Sequence, residues 1–129
     1  MRFTIVVQCP PQSCAGSLNA LNFSVAALKL GHTIDKIFFY GDGVYTANAL
    51  STGVQDEAST SEQWQHFIEK NAVDALLCIS SATQRGIINQ SESERRNINN
   101  VSCLPCFRIA GLGELIEASK QGNRLIQFH

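Results

Sequence analysis

Five short apolar runs punctuate the chain, Phe3 to Val7, Ile34 to Tyr40, Ala75 to Ile79, Phe107 to Ala110 and Arg124 to Phe128, and segments of helical character separate them. This alternation leaves few ways to fold. A helix between two strands supplies the crossover that parallel pairing needs, and strands this apolar require cover on both faces. The expected class is α/β: a three-layer α/β/α single domain over residues 1–129, with a mainly parallel five-stranded sheet.

The segments between the runs carry their own start and stop signals. Leu18, Leu21, Val25 and Leu28, with neighbouring alanines, give one side of a helix expected over Ser17 to Leu30, and Gly31 ends it. Gly41-Asp42-Gly43 breaks the second strand, and a short helical stretch is expected over Tyr45 to Leu50. Ser59 and Glu62 have capping-box spacing before a helix through Trp64, Phe67 and Ile68 to about Asn71; Ser91 and Glu94 repeat that spacing further on. Leu112 to Lys120 is amphipathic and is stopped by Gly122. There is no linker, internal repeat or low-complexity tract.

A chain of 129 residues with 44% apolar composition has material for one core and no more. Charged residues make up 16%, against about 25% in a typical domain. A surface partly covered in an oligomer accounts for this, and so does a surface rich in Ser, Asn and Gln. Net charge is −1 and the basic residues are scattered, so no electrostatic footprint for nucleic acid is present; Arg95-Arg96 is too short to make one. No run approaches the roughly 20 apolar residues of a membrane span, and the first residues do not read as a signal peptide. A cytoplasmic protein is expected. Five cysteines, an odd number, fit reduced thiols better than a disulfide framework.

Among those cysteines Cys78 has the most suggestive position, at the end of an apolar run that leads into Ser80, Ser81 and a helix. Unpaired N–H groups at a helix start favour negative charge, which stabilises a thiolate over a thiol, and Arg85 adds a positive field if it points that way. Strand ends in open α/β sheets are also where ligands gather. On this basis the thiol is expected to be presented to solvent, the alternative being one more small buried hydrophobe. Cys9, at the end of the first strand, and Cys14, in the loop after it, become candidate resolving thiols for Cys78 if the first and third strands are neighbours. Cys103 and Cys106 have C-x-x-C spacing, but a strand follows them where a redox dithiol needs a helix. No second Cys or His pair completes a zinc site, and neither a dinucleotide-binding nor a P-loop pattern is present, so the sequence calls for no metal and no cofactor. Gly41-Asp42-Gly43 reads as a turn needing positive φ at the carboxyl end of a strand. His32, His66 and the terminal His129 assemble into no catalytic pattern.

Three stretches together, FFYGDGVYTANAL (38–50), LLCISSATQRGI (76–87) and FRIAGLGELIEASKQGNRLIQF (107–128), resemble the DsrE/TusD family of sulfur-relay subunits, and the opening Arg2 to Val7 fits the same pattern. The resemblance runs through nearly the whole chain in order and is nearest to the TusD-like subunit. It implies a small α/β/α domain working in a heterohexamer with TusB-like and TusC-like subunits, and a sulfurtransferase activity in which Cys78 is the persulfide carrier. Sulfur then passes from a TusA-type donor to Cys78, on to a TusE-type acceptor, and finally to the wobble uridine of certain tRNAs, with no direct contact between this chain and nucleic acid or membrane. The same resemblance admits a DsrE-type subunit of a DsrEFH complex in sulfur oxidation, or a non-catalytic assembly subunit. Ser80 and Arg85 are supporting residues on this pattern; Cys9, Cys14, Cys103 and Cys106 lie outside it.

Overall fold

The computed structural model describes residues 1–54 and 57–129. Five strands, β1 (Arg2–Val7), β2 (Thr33–Phe39), β3 (Asp74–Cys78), β4 (Phe107–Ala110) and β5 (Arg124–Phe128), form one sheet in the order β4-β3-β2-β1-β5. All four pairings are parallel. The helices are α1 (Ala15–Lys29), α2 (Thr60–Asn71), α3 (Ile79–Gln84), α4 (Gln90–Arg95) and α5 (Leu112–Lys120), and a 3₁₀ segment spans Gly41–Ala47.

The chain starts at β1, adds β2, β3 and β4 outward on one side, then returns through α5 to set β5 against the other side of β1. Right-handed crossovers taken in opposite directions place their helices on opposite faces of a sheet. Accordingly α1 and α2 cover the face made by Ile5, Val7, Ile37, Phe39, Ala75 and Leu77, while α5 reaches the opposite face, where Leu115 packs against Val6, Phe38, Leu76, Cys78 and Ala110. The strands are apolar on both faces because both are covered.

On the α1/α2 face Trp64 is fully buried, meets Phe39 edge to face at 5.3 Å, and donates its indole N–H to Ser17 Oγ at 2.9 Å. That bond satisfies the one polar group of the largest core side chain and ties α2 to α1. The α5 face is more thinly covered: Leu112 and Ile116 of α5 and Leu125 of β5 are exposed. Across its strands runs a row of charge, with Asp74 bonded by Lys36 at 3.0 Å and by Arg108 at 3.0 Å, and Arg108 forked onto Glu114 of α5 at 2.8 and 2.7 Å.

Several local expectations change. α1 begins at Ala15, two residues before Ser17, so Cys14 is its N-cap. The Gly41-Asp42-Gly43 turn is itself the opening of the 3₁₀ segment, which ends at Ala47 and not Leu50. Gly41 has φ +57°, as a turn glycine there requires, and Gly43 is held so close to β1 that a Cβ would stand 2.2 Å from the Val7 carbonyl oxygen. The capping box at Ser59 and Glu62 forms as its spacing implies. That at Ser91 and Glu94 does not: Asn89 caps α4, its side chain accepting from the Glu92 N–H at 2.9 Å, and Ser91 lies inside the helix. Asn is as good a cap as Ser, and two overlapping candidates cannot be ranked by spacing alone.

Candidate functional site

Cys78 is the last residue of β3 and the N-cap of α3, with extended backbone (φ −61°, ψ 122°) and no cap hydrogen bond from its side chain. The strand-to-helix junction is where the apolar run placed it, one residue earlier than the Ala75 to Ile79 boundaries, since Ile79 already belongs to the helix. β4 lies alongside with Ala110 in register with Cys78. The unpaired N–H groups of the first turn of α3 begin at this residue.

The thiol is not presented. Cys78 is 2% exposed in the isolated chain, enclosed by Val6, Phe38, Leu76 and Ala110 with Tyr40 and Leu115 packed against the same group. Its side chain falls on the α5 face because residues of β3 alternate, and Leu76 and Cys78 share that face. The expectation of a solvent-facing sulfur fails for this reason: a strand end is open only when nothing caps it, and the start of α5 follows directly on the neighbouring β4.

Arg85 does not address the sulfur either. Its Nε donates to Asp42 Oδ1 at 2.9 Å and its Nη1 to the Ser81 carbonyl at 3.2 Å. Ser81 Oγ in turn accepts from the Gly41 N–H at 2.9 Å. Arg85 thereby fastens α3 to the 3₁₀ segment, the piece of chain that starts immediately after Tyr40. Ser80 is exposed on α3. Tyr40 and Leu115 were missed from the sequence as neighbours of this site. The Gly-Asp-Gly turn was the available signal, since it stands at the carboxyl end of the strand beside β3.

The structure also removes the premise for Cys9 and Cys14 as resolving thiols. β2 lies between β1 and β3, and Cys9 packs in the α1/α2-face core while Cys78 packs on the other face. The sheet itself separates the two sulfurs. Cys103 and Cys106 stand apart again, Cys103 joined to Asn48 by an isolated antiparallel bridge. Burial, then the charge of Cys106, pushes the Cys103 thiol up to about 11; burial, then Glu69, pushes Cys106 up to about 11. Both hold their protons at neutral pH, unlike a redox dithiol with an activated thiolate. Among the described residues no group of three or more His, Cys, Asp or Glu is arranged to hold a metal ion, and no helix is long and apolar enough to cross a membrane.

A cleft of about 500 Å³ opens between α1 and α2, lined by Leu21, Val25, Leu28 and Phe67 and bordered by Lys29 and Lys70. It is on the far face of the sheet from Cys78.

Sheet and junction together define a class: a small parallel α/β/α domain with a single cysteine at the point where its third strand becomes a helix. The chain belongs to the DsrE/DsrF-like family, whose model matches residues 1–128. It is 40% identical over 128 residues to a Pseudomonas aeruginosa protein named sulfurtransferase TusD homolog, covering 99% of this chain and 97% of that one. The sulfurtransferase TusD of Cronobacter sakazakii is 33% identical over 128 residues, with 99% and 100% covered. An Allochromatium vinosum protein bearing the name DsrE is 36% identical over 128 residues, with 99% and 98% covered. Among solved structures, the ychN protein of E. coli superposes with a TM-score of 0.73 at 18% identity, covering 99% of this chain and 100% of that one, which establishes the shared fold.

Proposed function

We propose that this chain is a cytoplasmic sulfurtransferase subunit of a TusBCD-type complex, in which Cys78 accepts sulfur as a persulfide and relays it toward 2-thiolation of tRNA wobble uridine. One observation carries the assignment: in a chain that matches its sulfurtransferase-named relatives from end to end, the thiol at the strand-to-helix junction is Cys78.

The chemistry is a pair of thiol exchanges. The Cys78 thiolate attacks the outer sulfur of a donor persulfide, of TusA type, forming a new S–S bond as the donor's S–S bond breaks and its thiolate leaves. An acceptor thiolate, of TusE type, then attacks the outer sulfur on Cys78 and restores the thiolate. No electrons are gained or lost overall, and no metal or nucleotide takes part. Because Cys78 is buried in the isolated chain, exchange requires Tyr40 or Leu115 to yield when a partner binds. The exposed Leu112, Ile116 and Leu125, on the α5 side where Cys78 packs, offer apolar surface for TusB-like and TusC-like subunits.

Intact-protein mass spectrometry after incubation with a persulfide donor, with peptide mapping, tests the assignment. One added sulfur on Cys78, lost in Cys78→Ser, is the expected result. Sulfur on Cys103 or Cys106 overturns it and moves the chemistry to the C-x-x-C pair; no added sulfur with a competent donor and the partner subunits present overturns it and leaves an assembly subunit. The relative named DsrE, at 36% identity, supports a second pathway for the same chemistry, sulfur oxidation in a DsrEFH-type complex. Loss of tRNA 2-thiouridine on deletion of the gene favours the first pathway; unchanged tRNA with lost sulfur oxidation favours the second.

A further inference from the structure

The thiols of Cys9 and Cys14 belong to one short loop, yet their surroundings differ sharply. Cys9 is 4% exposed and follows β1 into the α1/α2-face core, its thiol donating to the Phe128 carbonyl at 3.9 Å. Cys14 is exposed and caps the fifteen-residue helix α1, its thiol 3.8 Å from the Pro10 carbonyl it donates to. The Cys9 sulfur lies directly against the first turn of that helix: a Cβ at Gly16 would stand 2.5 Å from it, so only glycine leaves room for the sulfur there. Cys14 stands two residues before Gly16, at the start of the same helical turn that the Cys9 sulfur lies against. Between them Pro10 and Pro11 stiffen the chain, limiting how far the loop can carry Cys14 away.

We propose that Cys9 and Cys14 form an oxidation site of their own, closing to an internal disulfide when the chain meets a peroxide. Cys14, open to solvent, reacts first. Its thiolate attacks one peroxide oxygen, the O–O bond breaks, hydroxide leaves and Cys14 becomes a sulfenic acid. The Cys9 sulfur then attacks the Cys14 sulfur; the S–S bond forms, the S–O bond breaks, and the departing hydroxide takes the Cys9 proton as water. Two thiols together lose two electrons, which the peroxide gains in becoming two waters. Cys78 is no partner in this, since it packs on the other face of the sheet beyond β2. The product pins the loop after β1 to the start of α1.

The test treats the reduced full-length chain with hydrogen peroxide, unfolds it in denaturant while alkylating the remaining thiols, and maps peptides without reduction. Trypsin leaves Cys9 and Cys14 in one peptide, since the only cleavage sites around them are Arg2 and Lys29. The expected result is that both escape alkylation together, with loss of two hydrogens from that peptide and recovery of both thiols on reduction. Cys14→Ser, an exposed change, leaves Cys9 alkylated as the free thiol, and Cys78→Ser changes nothing. Cys14 accumulating as sulfinic acid with Cys9 still free, either thiol joined to a different cysteine, or both remaining reduced overturns the proposal. None of these results bears on sulfur loading of Cys78, so the two assignments fail separately.

Discussion

Arg85 reaches from the end of α3 to Asp42, closing an ion pair of 2.9 Å that fixes the helix after Cys78 to the turn after Tyr40. The arginine sits where a thiolate partner was expected, yet its charge is spent on a carboxylate. Its role at the site is therefore positional. By holding the 3₁₀ segment against α3, it keeps Tyr40 packed against the apolar group that contains Cys78.

Replacing Arg85 by Ala removes that fastening and leaves the Ser81 carbonyl without its guanidinium donor. Asp42 is largely exposed, so the expected stability loss is small, about 1 kcal/mol or less. The site responds more than the fold does: alkylation of Cys78 by iodoacetamide, followed by peptide mapping, is expected to speed up several-fold while the rate at Cys14 stays constant. An unchanged rate at Cys78 would show that the pair does not control access.

Gly43→Ala is expected to be much more damaging than its size suggests. The added methyl group meets the Val7 carbonyl oxygen at 2.2 Å and its carbon at 3.0 Å, and both are backbone atoms of a central strand. Neither can rotate away, so β1 or the 3₁₀ segment must shift, at a cost on the order of 3 kcal/mol. Urea denaturation should show a clearly lower midpoint with unchanged slope. A midpoint within experimental error of the parent would mean that the segment moves freely.

Acid should weaken the α5 face first. Burial works to raise the Asp74 carboxyl, but hydrogen bonds from Arg108 and Lys36 outweigh it and hold the group below its ordinary value; the Arg108 hydrogen bond does the same for Glu114. A carboxylate depressed on folding contributes stability that is present above its unfolded pKa of about 4 and disappears as pH falls through the lower folded value. Stability should therefore decline below about pH 4, and Glu114→Gln should flatten that decline while costing little at pH 7. Urea midpoints measured across this range check it; an identical acid slope in Glu114→Gln would assign the decline to other groups.

Local signals were strong where one short stretch decides the outcome. The β-branched and aromatic runs became five strands, the Ser59 and Glu62 capping box formed, and the Cys78 junction stands within a residue of its expected place. The Asn89 cap was misassigned because neighbouring polar residues offered competing caps of similar strength. The resemblance of three separated stretches to one family was legible too, since it depends on residues in order and not on their contacts.

What the sequence by itself determined is the class of fold, the chemistry available and the position of Cys78 at the carboxyl end of a strand, because hydrophobic period and turn residues act over a few neighbours. Only the tertiary structure decided that β2 separates β1 from β3, that Cys9 and Cys78 face opposite layers, that Arg85 is taken by Asp42, and that Tyr40 and Leu115 pack against the group that buries Cys78. Each of those depends on strand order and on which face a crossover helix covers. Both are set by long-range packing between segments whose local patterns are silent about one another.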